Sequence, residues 1–150
     1  MKELQKHAFE GVVMVCDDNI MNVMVICKHL ERVGLKTIVA QNGNDGVEKV
    51  RMRAGDSSKI PEGDSSEKKP DKQFALIFMD IHMPVMDGLE ASKKINEIDS
   101  NIPVVALTTD KAFEDKNTYK DSGIVDYLGK PFTTEELLGC LNRHLNPSAL

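Results

Sequence analysis

The sequence predicts an α/β fold, a doubly wound five-stranded parallel sheet with five helices. Three observations predict it. Short apolar runs alternate five times with longer stretches of mixed polarity along the 150 residues. The runs are apolar at consecutive positions, as in strands buried on both faces. Repeated strand-helix units place helices on both faces of a parallel sheet, and the order 2-1-3-4-5 suits five of them.

Each element has its own local warrant. Residues 11–16 (Gly-Val-Val-Met-Val-Cys) form the first apolar run and end at Asp17-Asp18. Residues 20–33 read as a helix closed by Gly34, a residue suited to a helix C-terminus. Residues 35–40 are short and β-branched, a second strand. Residues 44–53 form a second helix starting near Asn44 or Asp45. Residues 53–72 are rich in Ser, Gly, Pro, Lys and Glu with no apolar period, and read as a flexible, solvated insertion. Residues 74–79 are the third strand and 88–98 the third helix. Residues 102–107 are a fourth strand with Pro103 near its start, where a missing N–H is tolerated. Residues 112–121 form a weaker fourth helix and 124–128 the fifth strand. Thr133 caps the last helix, which runs to His144 with Glu135 and Glu136 in its first turn. The expected organisation is one domain over 1–150, with its core at 11–145.

Composition narrows the function classes. Hydrophobic residues make up 41% of the chain, as in ordinary folded domains. The net charge of −5, from 19 basic and 24 acidic residues, argues against nucleic acid as the main partner. No apolar stretch approaches the ~20 residues of a membrane span, and no signal-peptide pattern opens the chain. Cys16, Cys27 and Cys140 are odd in number, widely spaced and without CxxC or Cys/His metal spacing. They read as free thiols in a reducing cytoplasm.

The chemistry gathers at the carboxyl ends of the strands, where open α/β sheets bind ligands. Asp80 closes the third apolar run, Asp17-Asp18 follows the first, Thr108 the fourth, and Lys130 precedes Pro131 after the fifth. Clustered carboxylates need a counter-charge, and Mg²⁺ (or Mn²⁺) binds through one or two carboxylates, waters and phosphate oxygens. Metal and Lys130 would neutralise a transferring phosphoryl group, and Thr108 would hydrogen-bond one of its oxygens. Asp80 is then the nucleophile. Taken singly, each feature has a plainer reading: adjacent acids suit turns, lysine suits surfaces and threonine suits strands. Their joint placement carries the argument.

Four blocks carry a resemblance: Val15-Cys16-Asp17-Asp18-Asn19, Met79-Asp80-Ile81-His82-Met83-Pro84-Val85-Met86-Asp87-Gly88, Pro103-Val104-Val105-Ala106-Leu107-Thr108, and Asp126-Tyr127-Leu128-Gly129-Lys130-Pro131-Phe132. In this order, over residues 12–144, the chain resembles a receiver domain of the two-component response regulators, most similar in style to those of hybrid histidine kinases. The resemblance implies a flavodoxin-like fold and a phosphorylated Asp80. It implies metal ligation by Asp18, Asp80 and the His82 backbone carbonyl, with Asp17 acting through water. Thr108 and Lys130 would hold the phosphoryl group, Tyr127 would turn inward on activation, and the Lys130-Pro131 bond would be cis. Thr109 stands where the family usually has a small residue, so it could crowd the phosphoryl site. The His82 side chain stands at the lip of the pocket.

In the first helix, Asn22, Val25, Ile26, His29, Leu30 and Val33 follow i, i+3, i+4 spacing and are expected to face the sheet. Met21, Met24 and Lys28 would then face outward. Ile20, Met21 and Met24, with Pro131 and Phe132, are expected to dock a histidine-containing phosphotransfer protein or a histidine kinase, methionine suiting adaptable surfaces. The implied molecule is a cytoplasmic monomeric signalling domain, not an enzyme in its own right. It makes no membrane contact through this segment, and is either free-standing or the cytosolic part of a membrane-bound hybrid kinase. Two competing readings are a small Mg²⁺-dependent aspartyl-phosphate phosphatase and an inactive pseudo-receiver that only binds partners. The phosphatase family of this type uses an Asp two residues after its nucleophile as general acid, where this chain has His82.

Overall fold

The structure is a computed structural model and describes residues 9–54, 73–82, 86–109 and 122–145. Its order is β1 (Val12–Cys16), α1 (Ile20–Arg32), β2 (Lys36–Ala40), α2 (Gly43–Arg53), β3 (Leu76–Asp80), α3 (Gly88–Ile98), β4 (Val104–Thr108), β5 (Ile124–Gly129) and α4 (Thr134–His144). All four strand pairings are parallel. The order across the sheet is β2-β1-β3-β4-β5, as expected. Of the insertion expected over 53–72, Arg53 ends α2 and Ala54 caps it; its residues 55–72, the expected helix at 112–121, and Met83-Pro84-Val85 lie outside the described residues.

Alternation along the central strands builds a core on each face. Met14 and Cys16, Ile77 and Met79, and Val104 and Ala106 join Val47, Val50, Ala91 and Ile95 of α2 and α3. Val13 and Val15, Leu76 and Phe78, and Val105 and Leu107 join Val23, Ile26 and Leu30 of α1 and Leu137, Cys140 and Leu141 of α4. Both parities of each strand are therefore apolar, which is why period two was absent from the sequence. At about 1.5–3 kcal/mol per buried large apolar side chain, these two layers outweigh any surface ion pair in the molecule.

Three strands, β3, β4 and β5, end one residue later than expected. Asp80 and Thr108 are the last residues of β3 and β4 rather than the first beyond them. The hydrogen-bond ladder explains the shift. The Pro103 carbonyl accepts from the Ile77 N–H, but Pro103 has no N–H to return. At the other end the ladder continues, with Ile81 N–H donating to Leu107 and Lys130 N–H to the Thr108 carbonyl at 2.8 Å.

The helix starts follow their caps. The Asn42 side chain accepts from the Asp45 N–H, so α2 begins at Gly43, before Asn44. Asp87 caps α3 by accepting from Glu90 N–H at 2.9 Å. Thr133 caps α4, as the sequence indicated, and with Glu136 it forms a reciprocal capping box.

The phase of α1 differs from the expectation. Val23, Ile26 and Leu30 face the sheet, and Val25 is 50% exposed. Val23, Val25 and Ile26 lie within one turn, so the apolar pattern admits two stripes. The cap chooses between them: Asn19 accepts from the N–H groups of Met21 and Asn22, and its own N–H donates to Asp17 at 2.8 Å. That ties the helix start to β1 and fixes its rotation.

Candidate phosphoacceptor site

The carboxyl edge of β1, β3, β4 and β5 gathers the predicted residues. Cys16 lies in register with Met79, Asp80 with Leu107, and Thr108 with Gly129. Asp17 and Asp80, each next along its strand, are thereby brought side by side. Asp17, Asp18 and Asp80 each offer a carboxylate oxygen within 4.8 Å of the others. Asp17 and Asp80 are buried, whereas Asp18 is exposed at the mouth. Lys130 reaches both buried acids, its Nζ lying 3.3 Å from Asp17 Oδ2 and 3.5 Å from Asp80 Oδ1. Thr108 is buried beside it at the end of β4, and Thr109 is exposed. The His82 N–H donates to Asp80 Oδ1 at 3.2 Å, while its side chain is exposed.

The electrostatics single out Asp80. Burial, then the neighbouring Asp17 charge, pushes its carboxyl up to about 6. The Lys130 ammonium and the His82 N–H pull the other way without prevailing. Two buried acids share one lysine, so the cluster lacks positive charge. Its donors are hard oxygens from three carboxylates. That set fits Mg²⁺ or Mn²⁺, and does not fit a soft metal.

Gly88 has a role the sequence did not reveal. A Cβ there would collide with the Asp80 carbonyl oxygen and lie 2.8 Å from Ile81 Cα. The Gly88 N–H donates to the Ile81 carbonyl at 3.0 Å. Glycine thus lets α3 start directly against the backbone that carries Asp80. Read from sequence, Asp87-Gly88 signals a turn and a helix start, and the contact with Asp80 exists only once the chain has folded.

The remaining residues fall where the fold directs them. Tyr127 is half-buried against the α2–α3 side of the core. Phe132 packs partly against the α1–α4 side, and Pro131 is exposed. The Lys130-Pro131 peptide is cis. Ile20, Met21 and Met24 are 71%, 69% and 64% exposed, and Val25 joins them. A cleft of about 350 Å³ links this surface to the acids, lined by Asp17, Asp18, Ile20, Val23, Val39 and Gln41 among others. The three cysteines are free thiols. Among the described residues no helix is long and apolar enough to cross a membrane.

Known proteins resemble this chain in sequence and fold. The family described as the response regulator receiver domain matches residues 62–142. Hybrid signal transduction histidine kinase K of Dictyostelium discoideum is 34% identical over 134 residues, which cover 83% of this chain and 10% of that protein. The chain spans about a tenth of the length of the curated relatives of this kind. The chemotaxis protein CheY4 of Vibrio cholerae superposes with a TM-score of 0.72 at 27% identity, covering 91% of this chain and 99% of that one. The receiver domain of a sensor histidine kinase from Pseudomonas aeruginosa, solved with a magnesium ion coordinated in its active-site cleft, superposes with a TM-score of 0.70 at 25% identity. That superposition covers 90% of this chain and 97% of that one.

Proposed function

The chain belongs to the receiver domain family of two-component response regulators, and on that premise we propose that it accepts a phosphoryl group from a phosphohistidine onto Asp80. The observation that carries this reading is the shared lysine: Lys130 lies within 3.5 Å of Asp80 and within 3.3 Å of Asp17, beside the exposed Asp18. One carboxylate is thus held between a cation and an acid pair at the open edge of a sheet.

An Asp80 oxygen attacks phosphorus as the P–N bond of the donor breaks. The bonding pair returns to the imidazole, which takes a proton from solvent. Lys130 pairs with the phosphoryl oxygens that gain charge, and Thr108 hydrogen-bonds one of them. Asp17, Asp18 and Asp80, with the His82 carbonyl, would hold Mg²⁺, whose charge would offset that of the carboxylates and the phosphoryl group. The His82 N–H keeps the Asp80 side chain oriented. Thr109, at the rim, tunes the access of water to the product. Tyr127, half-buried on β5 in register with Ala106, carries the change to the surface.

The donor is a histidine kinase or a histidine-containing phosphotransfer protein, docking on Ile20, Met21, Met24 and the neighbouring Val25, with Pro131 and Phe132 beside them. The whole chain acts as one monomeric, cytoplasmic signalling domain.

Incubation with Mg²⁺ and acetyl phosphate, followed by intact mass measurement, tests the reading. One added phosphoryl mass is expected, absent in Asp80→Asn and lost in EDTA. Continuous release of phosphate from esters without an adduct would overturn it in favour of a phosphatase, and no adduct from any donor would make the chain a binding module.

A further inference from the structure

A second group of metal-ligating side chains lies away from the acid cluster. Cys140 and His144 are one turn apart on α4, on the same face, and Asp126 of β5 stands opposite. The sulfur, a ring nitrogen and a carboxylate oxygen lie within 4.8 Å of one another. His144 Nε2 is 2.9 Å from Asp126 Oδ2. Asp126 is in register with Val105 of β4, whereas Asp80 is in register with Leu107. The group therefore sits two residues back along the sheet from Asp80 and two strands across from it.

We propose that Asp126, Cys140 and His144 form a second cation site of zinc-class chemistry, separate from the acid cluster. Thiolate and imidazole favour a borderline-soft metal over Mg²⁺. Three protein ligands leave one tetrahedral position for water. The donors come from two rigid elements rather than a loop. Two of them lie in the last turns of α4, where the helix dipole favours positive charge.

Arg143 is the competitor that defines the site. Its Nε and a terminal guanidinium nitrogen donate to Asp126 Oδ2 at 2.9 and 2.8 Å. The Arg143 side chain is 55% exposed, so it swings into water without unpacking the core. Binding then exchanges one cation for another: Cys140 loses its thiol proton to solvent, Arg143 releases Asp126, and neutral His144 contributes its ring nitrogen. The Tyr127 N–H holds the other Asp126 oxygen at 2.8 Å, so the carboxylate stays aimed at α4 throughout.

The test uses Co²⁺ as a spectroscopic stand-in, titrated into the full chain with excess Mg²⁺ present. A thiolate-to-cobalt charge-transfer band with the visible bands of tetrahedral Co²⁺ is expected, and added Zn²⁺ should erase both. Cys140→Ser should remove the charge-transfer band. His144→Gln should weaken binding at least about tenfold, whereas Arg143→Gln should strengthen it. Asp18→Asn should leave the bands unchanged. Thermal melts confirm that each variant is folded, and Arg143→Gln, at an exposed position, remains informative if Cys140→Ser is unstable. The proposal is overturned if the folded wild type shows no thiolate band, if the band survives Cys140→Ser, or if Asp18→Asn removes it.

Discussion

Asp80 is an unfavourable residue for the fold while its carboxyl is ionised. Burial first, and Asp17 second, raise its carboxyl to about 6 from an ordinary value of 3.8. A carboxyl whose pKa rises on folding adds stability while protonated. That contribution is complete below the unfolded value and is lost as pH rises through about 6. Asn cannot ionise, so Asp80→Asn imitates the protonated state at every pH. In EDTA the variant should match the wild type near pH 4 and exceed it above about pH 6, by on the order of 1–3 kcal/mol. Urea melts across that range measure the difference. A gap that does not change with pH would show that the cost of Asp80 is steric and not electrostatic. On the proposed reading the same charge imbalance serves the residue, since a carboxylate short of counter-charge suits a metal and a phosphoryl group.

At the scale of elements, α3 and α1 set the geometry around that carboxylate. The start of α3 presses on β3 through Gly88, so Gly88→Ala must displace either the helix or the Asp80 backbone. Expected consequences are a loss of about 1–3 kcal/mol in stability and at least about a tenfold slower phosphorylation by acetyl phosphate. A variant that loses stability but phosphorylates at the normal rate would show that the helix gives way and the strand does not. α1 presents four exposed apolar side chains, Ile20, Met21, Met24 and Val25, and Ile20 lines the cleft that holds Asp17 and Asp18. Met21→Glu should slow transfer from a phosphorylated protein donor by about tenfold, equivalent to ~1.4 kcal/mol, and leave the acetyl phosphate rate alone. Equal slowing with both donors would remove the docking role. Met24→Glu, one residue row further from Asp18, separates docking from simple repulsion at the pocket.

Across the whole molecule, the readable features were those whose signal is a local run. The central strands are contiguous apolar segments, so the sheet and the placement of Asp80, Thr108 and Lys130 at strand ends, to within a residue, could be inferred from the sequence. Features set by competition or by folded contact could not. Asn42 and Asn44 are equally good caps on paper, and Val23 and Val25 are equally good inward residues until Asn19 ties α1 to Asp17. The approach of Gly88 to Asp80 exists only after α3 has packed on β3, and the meeting of Asp126 with Arg143 and His144 only after α4 has packed on β5. The same division of labour predicts the response to metal. The two apolar layers hold the sheet without the acid cluster, so the Mg²⁺-free protein should fold and melt in one transition. On the proposed reading, Mg²⁺ would occupy the place where the fold brings Asp17, Asp18 and Asp80 within 4.8 Å. It therefore stabilises the native state alone, by about 2.7 kcal/mol at a concentration near 100 times its Kd. For a chain of this length that is a rise in Tm of roughly 5–10 °C. Asp18→Asn and Asp80→Asn should each flatten the response, and NaCl at matched ionic strength should not reproduce it. A full shift in the double variant, or an equal shift with NaCl, would mean that the ion screens the net charge of −5 and does not occupy the acid cluster.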